Sequence, residues 1–227
     1  MTARGLSIVM PVLNEAAGVA AAVQALSPLV ARGAQLLLVN GGSADDTLAR
    51  AQACAVQVIS TQRGRALQMN AGAQLATGDV LLFLHADTRL PADADVLIAK
   101  ALASGAQVWG RFDVRIDGRS QLLRIVAWLM NWRSRWSGIA TGDQAIFMTR
   151  ATFDAVGGFP LQPLMEDIEM SRRLLRLSRP ACLRARVLTS GRRWERSGVW
   201  RTILLMWRLR FAYWRGVAPE RLAALYR

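Results

Sequence analysis

Apolar positions along the chain follow two periods. Short, nearly unbroken apolar runs at Leu6–Met10, Leu36–Val39, Val56–Ile59 and Val80–Leu84 predict strands buried on both faces, the pattern of a parallel sheet. The segments between them repeat at helical spacing. Over Glu15–Ala31 the apolar residues Ala16, Val19, Val23, Leu26 and Val30 recur every three or four positions, which marks one helix face. A second helix is expected to start at Ser43, with Ser43 as N-cap and Asp45 and Asp46 in its first turn. A third covers Ala66–Ala76 and is stopped by Gly78. Pro11 is expected to end the first ladder, and Asn14 to cap the helix after it. Repeated strand–helix–strand units predict an α/β fold, a mainly parallel sheet with helices on both faces.

The second half is less regular. Val108–Ile116 reads as a strand near the sheet edge, Gln144–Met148 as a short strand and Leu183–Leu188 as another. Gln121–Trp136 reads as a helix with Leu122, Ile125, Val126, Leu129 and Met130 on one side. Glu166–Leu177 and Val199–Tyr213 read as two more. No linker, repeat or low-complexity stretch divides the chain. The expected organisation is one domain over residues 1–195, with an amphipathic helical extension over 196–227 packed on it.

Composition narrows the options. The chain has 227 residues, 52% of them apolar, and a net charge of +13 carried almost wholly by arginine, since Lys100 is the only lysine. Arginine's planar fork suits phosphate, so anionic partners fit; a composition rich in Ala, Arg and Gly produces the same bias. The arginines are spread along the chain and no nucleic-acid motif is present, which argues against a nucleic-acid-binding module. Cys54 and Cys182 lack CxxC or metal-ligand spacing and are expected to be buried thiols, with no disulfide framework or zinc site. The first residues lack a signal-peptide pattern, and no 18-residue apolar run occurs, so the expected location is cytoplasmic.

Candidate chemistry gathers at the strand ends. Ligands of open α/β sheets bind beyond the carboxyl ends of the strands. There the run Val80–Leu84 breaks into His85-Ala86-Asp87-Thr88, with the only histidine of the chain. Asp87 is placed to hold a divalent metal or a phosphate-bearing ligand; Asp-Thr before Leu90-Pro91 is equally ordinary turn chemistry. Pro11-Val12-Leu13-Asn14-Glu15 follows the first strand and Asn40-Gly41-Gly42-Ser43 the second. The two glycines permit close backbone approach beside a helix start, although this is neither GxGxxG nor a Walker loop. Arg63 and Arg65 stand at a helix start, which the helix dipole disfavours and a bound diphosphate would offset.

These segments, with Gly142–Arg150, Gly157-Gly158-Phe159-Pro160 and Glu166-Asp167, occur in the order seen in family 2 glycosyltransferases. The resemblance runs from about Leu6 to about Arg193. It is strongest to a short bacterial subgroup labelled arsenosugar-biosynthesis glycosyltransferases, which share a Gly-Gly-Ser loop, a His-Ala-Asp motif and an Arg-Arg-Trp tail. The resemblance implies a GT-A (Rossmann-like) fold and a metal-dependent, inverting transfer from a UDP- or GDP-linked sugar to a hydroxyl acceptor, small or lipid-linked. It implies that Pro11, Leu13 and Glu15 line the base pocket and that Asn40 meets the nucleoside where the family usually has acids. Arg65 would reach the diphosphate. Asp87 corresponds to the second acid of the family's Asp-x-Asp motif and would bind Mg²⁺ or Mn²⁺; His85 stands where the first acid would, to contact ribose, orient Asp87 or tilt preference toward Mn²⁺. Asp167, with Glu166 second, would be the general base. Asp143 and Gln144 would lie on the acceptor side, Asp143 as a second carboxylate or a turn residue. Arg192-Arg193-Trp194, expected on the acceptor side, resembles the tail of a Gln-x-x-Arg-Trp motif, with Arg192 and Arg193 also placed to close over the diphosphate. Ser190 stands in the glutamine's place, which argues against processive synthesis.

Two other enzyme readings are a nucleotidyltransferase, which would want a basic Gly-rich loop after the first strand, and a catalytically silent nucleotide-sugar binder, since Asn40 and His85 depart from the acidic pattern. The last helix mixes Trp200, Trp207, Phe211 and Trp214 with Arg201, Arg208, Arg210 and Arg215. It suits either the inner face of an anionic membrane, over Val199–Trp214, or a packed core or dimer helix with snorkelling arginines.

Overall fold

The computed structural model describes residues 5–226. Eight strands form one sheet: β1 Leu6–Val12, β2 Gln35–Asn40, β3 Gln57–Ser60, β4 Val80–Phe83, β5 Thr88–Arg89, β6 Trp109–Asp117, β7 Ile146–Thr149 and β8 Ala181–Ser190. Their spatial order is β3-β2-β1-β4-β7-β6-β8-β5. The first four strands are mutually parallel, and β7 enters antiparallel between β4 and β6. This is the mainly parallel, helix-flanked sheet that the apolar runs predict.

Alternation along each strand feeds two core layers. Ile8, Met10, Leu36, Leu38 and Leu82 point to one face, where α1 (Val19–Ala31), α4 (Ala94–Leu102) and α5 (Leu122–Ser137) bury Leu26, Ile98 and Val126. Val9, Leu37, Val39, Leu81 and Phe83 point to the other, under Met69 of α3 (Arg65–Leu75), Phe153 of α6 (Arg150–Ala155) and Met170 of α7 (Glu166–Leu174). Both faces of β1, β2 and β4 are therefore dry, and each fully buried aliphatic side chain contributes about 1.5–3 kcal/mol.

Several local expectations are corrected. Pro11 does not end the ladder: β1 continues through it, pairing Pro11 with Val39 and Val12 with Asn40. Val9 offers its carbonyl to the β4 side, where Leu84 N–H donates to it. Two residues on, Pro11 faces the same side, and the β1–β4 pairing ends at Val9–Phe83, so its missing N–H leaves no ladder bond unmade. Asn14 does not cap α1; it sits at φ 53° and its side chain bonds across to Ala44. Ser43 does not cap α2, which spans Thr47–Ala53 behind Asp46. β6 is not near an edge but lies between β7 and β8, because Gly110 lets Ala181 of β8 and the Phe147 ring of β7 close in on both sides. Both cysteines are free and only half-buried.

The second half adds α8 (Arg192–Ser197), α9 (Val199–Trp214) and α10 (Pro219–Tyr226). Leu209 of α9 and Leu222 of α10 pack with Leu164, Met165 and Ile168 in a third small core. None of the helices among the described residues is long and apolar enough to cross a membrane.

Gly72 sets the seat of α3. A Cβ there would lie 2.4 Å from Val9 Cγ1 and 3.0 Å from Val39 Cγ2, inside a layer that has no slack. Gly72→Ala is expected to lower stability by about 1–3 kcal/mol, seen as a lower urea midpoint with an unchanged slope. An unchanged midpoint would contradict the close approach.

Candidate active site

The carboxyl ends of β1, β2 and β4 open onto one crevice. Its first wall consists of two loops zipped together by side chains. Asn14 N–H donates to Ser43 Oγ at 3.0 Å, Glu15 N–H to Thr47 Oγ1 at 2.8 Å, and Ala16 N–H to Asp45 Oδ2 at 3.1 Å. Asp45 also accepts the Thr47 hydroxyl and its N–H. The Thr47 hydroxyl bond outweighs desolvation and, with the N–H bonds of Thr47 and Ala16, holds the Asp45 carboxyl below its ordinary value. Asn40, buried at the end of β2, accepts the Ser43 hydroxyl at 2.6 Å. Beneath the loops, Gln68 of α3 donates to the carbonyls of Val12 (2.9 Å) and Val39 (2.7 Å), clamping both strand ends. A Cβ on Gly41 would meet the Gln68 amide at 2.8 Å, so the glycine keeps this clamp in place.

The second wall follows β4. His85 Nδ1 lies 3.3 Å from Asp143 Oδ1, and the other side of its ring rests on Gly142, where a Cβ would approach Nε2 to 2.3 Å. Gly142 N–H donates to Asp167 Oδ2 at 3.0 Å, and Ile168 N–H to Oδ1 at 2.8 Å. Glu166 is buried beside it, and Arg65 reaches it at 3.2 Å. Arg65, His85, Gly142, Glu166 and Asp167 line one narrow cavity of ≈10 Å³, room for about one water. Burial pushes the Asp143 carboxyl up, but the bond and charge of His85, with Arg65 and Arg210, outweigh this and hold it low. Glu166 is the opposite case: burial and the charge of Asp167 raise it, against the pull of Arg65.

Asp87 stands apart from that cluster. Among the described residues the one hydrogen bond to its side chain comes from the Thr88 hydroxyl, at 3.4 Å, while its carbonyl accepts Ser190 N–H. Among the described residues no group of three His, Cys, Asp or Glu side chains is arranged to hold a metal. One such uncommitted carboxylate fits Mg²⁺ or Mn²⁺ held chiefly by substrate phosphates and water. His85 faces Asp143 rather than Asp87.

The remaining expected residues fall in mixed places. Pro11, Leu13 and Glu15 are partly exposed on the first wall. Arg192, expected on the acceptor side, instead pairs with Glu15 Oε2 at 3.2 Å. Arg193 stacks on the Tyr226 ring, 3.7 Å from its centroid, and donates to its hydroxyl. Trp194 packs against the first core layer. Gln144 is fully buried, its amide oxygen accepting Thr141 N–H, so it shapes the turn and does not face an acceptor.

The comparisons with known proteins bear on this arrangement. The model of "Glycosyl transferase family 2" matches residues 7–161. The chain belongs to that family. A Mycobacterium tuberculosis "PGL/p-HBAD biosynthesis glycosyltransferase" is 31% identical over 179 residues, 71% of this chain and 66% of the relative. A glucosyl-3-phosphoglycerate synthase of the same organism is 32% identical over 96 residues, 37% of this chain and 29% of its own. The chain thus spans just under two-thirds of the first relative's length. The crystal structure of M. tuberculosis glucosyl-3-phosphoglycerate synthase with Mn²⁺, UDP and phosphoglyceric acid superposes with a TM-score of 0.60 at 18% identity, covering 81% of this chain and 68% of that one. S. aureus TarS with UDP gives 0.66 at 15% identity, covering 82% and 60%. At these identities the likeness shows the GT-A glycosyltransferase fold. Family membership also replaces the nucleotidyltransferase alternative.

Three groups in this glycosyltransferase's crevice have no motif to announce them. Arg133 of α5 and Arg210 of α9 lie within charge range of Asp167. Desolvation, with the charge of Arg210, pushes Arg133 down to about 9, still cationic at neutral pH, and its buried Nη2 has no hydrogen-bond partner. Tyr226 of α10 is the third. Burial raises its hydroxyl, with Asp143 and Asp167 adding and Arg193 and Arg65 opposing. Only the packing of α5, α9 and α10 brings these residues in.

The raised Glu166 has a testable sign. The folded state holds its proton to higher pH than the unfolded chain does, so as pH rises from the ordinary carboxylate value of 4.5 toward neutrality this residue removes stability. Relative to Glu166→Gln, wild type should lose denaturant resistance as pH rises above the ordinary carboxylate value of 4.5. Parallel stability–pH curves for the two proteins would refute the assignment.

Proposed function

We propose that this family 2 glycosyltransferase carries out an inverting, metal-dependent transfer of a sugar from a nucleoside diphosphate to a hydroxyl acceptor. The observation that carries the reading is the convergence of Arg65, His85, Asp143, Glu166 and Asp167 on one crevice at the strand ends. Inversion requires a carboxylate on the face of the sugar opposite the leaving group. Asp167 suits this role: each oxygen is oriented by one backbone N–H, and each retains lone-pair capacity for a proton. Glu166, buried and spoken for by Arg65, is the positioning partner. The acceptor oxygen bonds to the anomeric carbon as the carbon–oxygen bond to the diphosphate breaks; the hydroxyl proton goes to Asp167 and the electron pair leaves on the diphosphate.

On the donor side, Pro11, Leu13 and Glu15 would border the base, and the Asn40 amide NH₂, its oxygen being engaged by Ser43, would serve the nucleoside. Arg65 would face the diphosphate. Asp87 would hold the divalent ion, Mg²⁺ or Mn²⁺, which when bound supplies charge neutralisation of the leaving diphosphate. The UDP and Mn²⁺ or Mg²⁺ in structures of the glucosyl-3-phosphoglycerate synthase support this choice of donor and ion. A cytoplasmic enzyme at the inner membrane face, acting on a small or lipid-linked acceptor, is the setting we favour; the exposed aromatic face of α9 supports it.

Two variants test the assignment. Asp87→Asn should abolish the Mn²⁺-dependent part of the thermal shift produced by UDP or GDP; a full shift in the variant counts against Asp87 as the ion's ligand. Asp167→Asn should keep that shift and lower sugar transfer by about 10²–10⁴-fold. Retained turnover would remove Asp167 as the base.

A further inference from the structure

Two helices present more apolar surface than the fold consumes. On α5, Ile125, Trp128, Leu129, Trp132 and Trp136 are 44–76% exposed; on α9, Trp200, Leu204, Trp207, Phe211 and Trp214 are 60–70% exposed. The spacing of three or four residues makes each set a single stripe. Six of the chain's eight tryptophans lie on these stripes. Each helix has already met its packing needs elsewhere: Leu123, Val126 and Ala127 of α5 are in the first core layer, Val199 and Ile203 of α9 pack against that same layer, and Leu209 enters the third core. The two helices share their inner packing: Ile139, two residues past α5, packs in the third core with Leu205, Met206 and Leu209 of α9, and Val199 and Ile203 of α9 pack on the layer that buries Leu123 and Val126 of α5. Their outer stripes are the sides turned away from these shared cores.

Charge identifies the occupant. The two helices, 16 residues each, carry six arginines and no aspartate or glutamate. Arg124, Arg201 and Arg208 are exposed beside the stripes, and Arg215 follows α9. A second copy of the chain would set arginine against arginine with no acid on either helix to pair, so a symmetric dimer through this face is opposed. A bilayer with anionic headgroups answers both features: indole rings settle at the headgroup level while arginines reach outward to lipid phosphates. We infer that α5 and α9 together form a bilayer-docking face for anionic lipid. This extends the α9 contact proposed above to a second helix, and it stands without the catalytic assignment.

The full chain, mixed with phosphatidylcholine vesicles with and without phosphatidylglycerol, is followed by co-sedimentation and by tryptophan fluorescence. Wild type should sediment with the anionic vesicles, shift its emission to the blue, and release as salt rises. Trp132→Ser with Trp136→Ser on α5, and separately Trp207→Ser with Phe211→Ser on α9, should each weaken binding by roughly tenfold or more. The UDP-induced thermal shift should stay intact in both, so a failed docking face and a failed donor site read out separately. Absence of sedimentation and of any blue shift for wild type would overturn the inference. So would full binding by the α5 variant, or light scattering that shows a wild-type dimer turned monomeric by these substitutions.

Discussion

The hydrogen bond from Gly142 N–H to Asp167 Oδ2, 3.0 Å long, holds the second wall of the crevice together. It joins the turn before β7 to the start of α7. Glycine is required for its neighbour: any side chain at 142 would occupy the place of the His85 ring. Through that ring the end of β4 is linked to Asp143. Three segments, 58 and 25 residues apart in sequence, are thus fixed by one residue that lacks a side chain. The turn itself is anchored from behind. Thr141 N–H donates to the Gln144 amide oxygen and Gln144 N–H to the Thr141 carbonyl, and the Gln144 amide reaches Asn131 of α5, which in turn bonds both the N–H and carbonyl of Val114 in β6. Moving the turn would require breaking buried polar pairs, each costly to leave unmade.

The first wall has a different economy. It is built from neutral and singly charged groups bonded to one another: Ser43 to Asn40, Thr47 and Asp45 to the loop after β1, Gln68 to two strand-end carbonyls. Such a wall keeps its shape before any ligand arrives, which lowers the ordering cost of binding. The cations are held elsewhere, at Arg65 against Glu166 and Arg192 against Glu15. The Arg192–Glu15 pair is part-exposed on both sides, and a surface pair of this kind contributes little to stability, so Arg192 is free to exchange a carboxylate for a phosphate at small cost. Arg65 is half-exposed but its partner Glu166 is buried, so that exchange costs more unless Glu166 takes up a proton.

The sequence made some of this plain and hid the rest for identifiable reasons. β1, β2 and β4 read clearly because strands dry on both faces show as apolar runs. Asn40, Arg65 and His85 are marked by position at strand and helix ends, Asp143 and Asp167 by the family resemblance. Pro11 misled because its missing N–H matters only where a neighbouring strand is present, and β4 has already stopped there. Ser43 misled because a hydroxyl before two acids looks like a cap, while here it is spent on Asn40 across the loop. β5 is two residues long and exists only as a partner of β8, so it has no local signal at all. α10 did carry one, a proline at its first position with Leu222 and Tyr226 a turn apart. The meeting of Arg133, Arg210 and Tyr226 beside Asp167 depends on how α5, α9 and α10 pack, which no spacing along the chain encodes.

Those same helices tie the outer surface to the chemistry. On its inner side α9 sets Leu209 against Ile168, one residue from Asp167, and Arg210 within charge range of Asp143 and Asp167. On its outer side it shows Trp207 and Phe211. The aromatic face and the residues packed toward the acids are thus opposite sides of one helix. α5 repeats the arrangement, with Arg133 within charge range of Asp167 and with Trp132 and Trp136 outward. Leu164, Met165 and Ile168, which flank Glu166 and Asp167, share the third core with α9 and α10, so whatever settles on the aromatic face bears on the elements that hold the carboxylate that would take the proton.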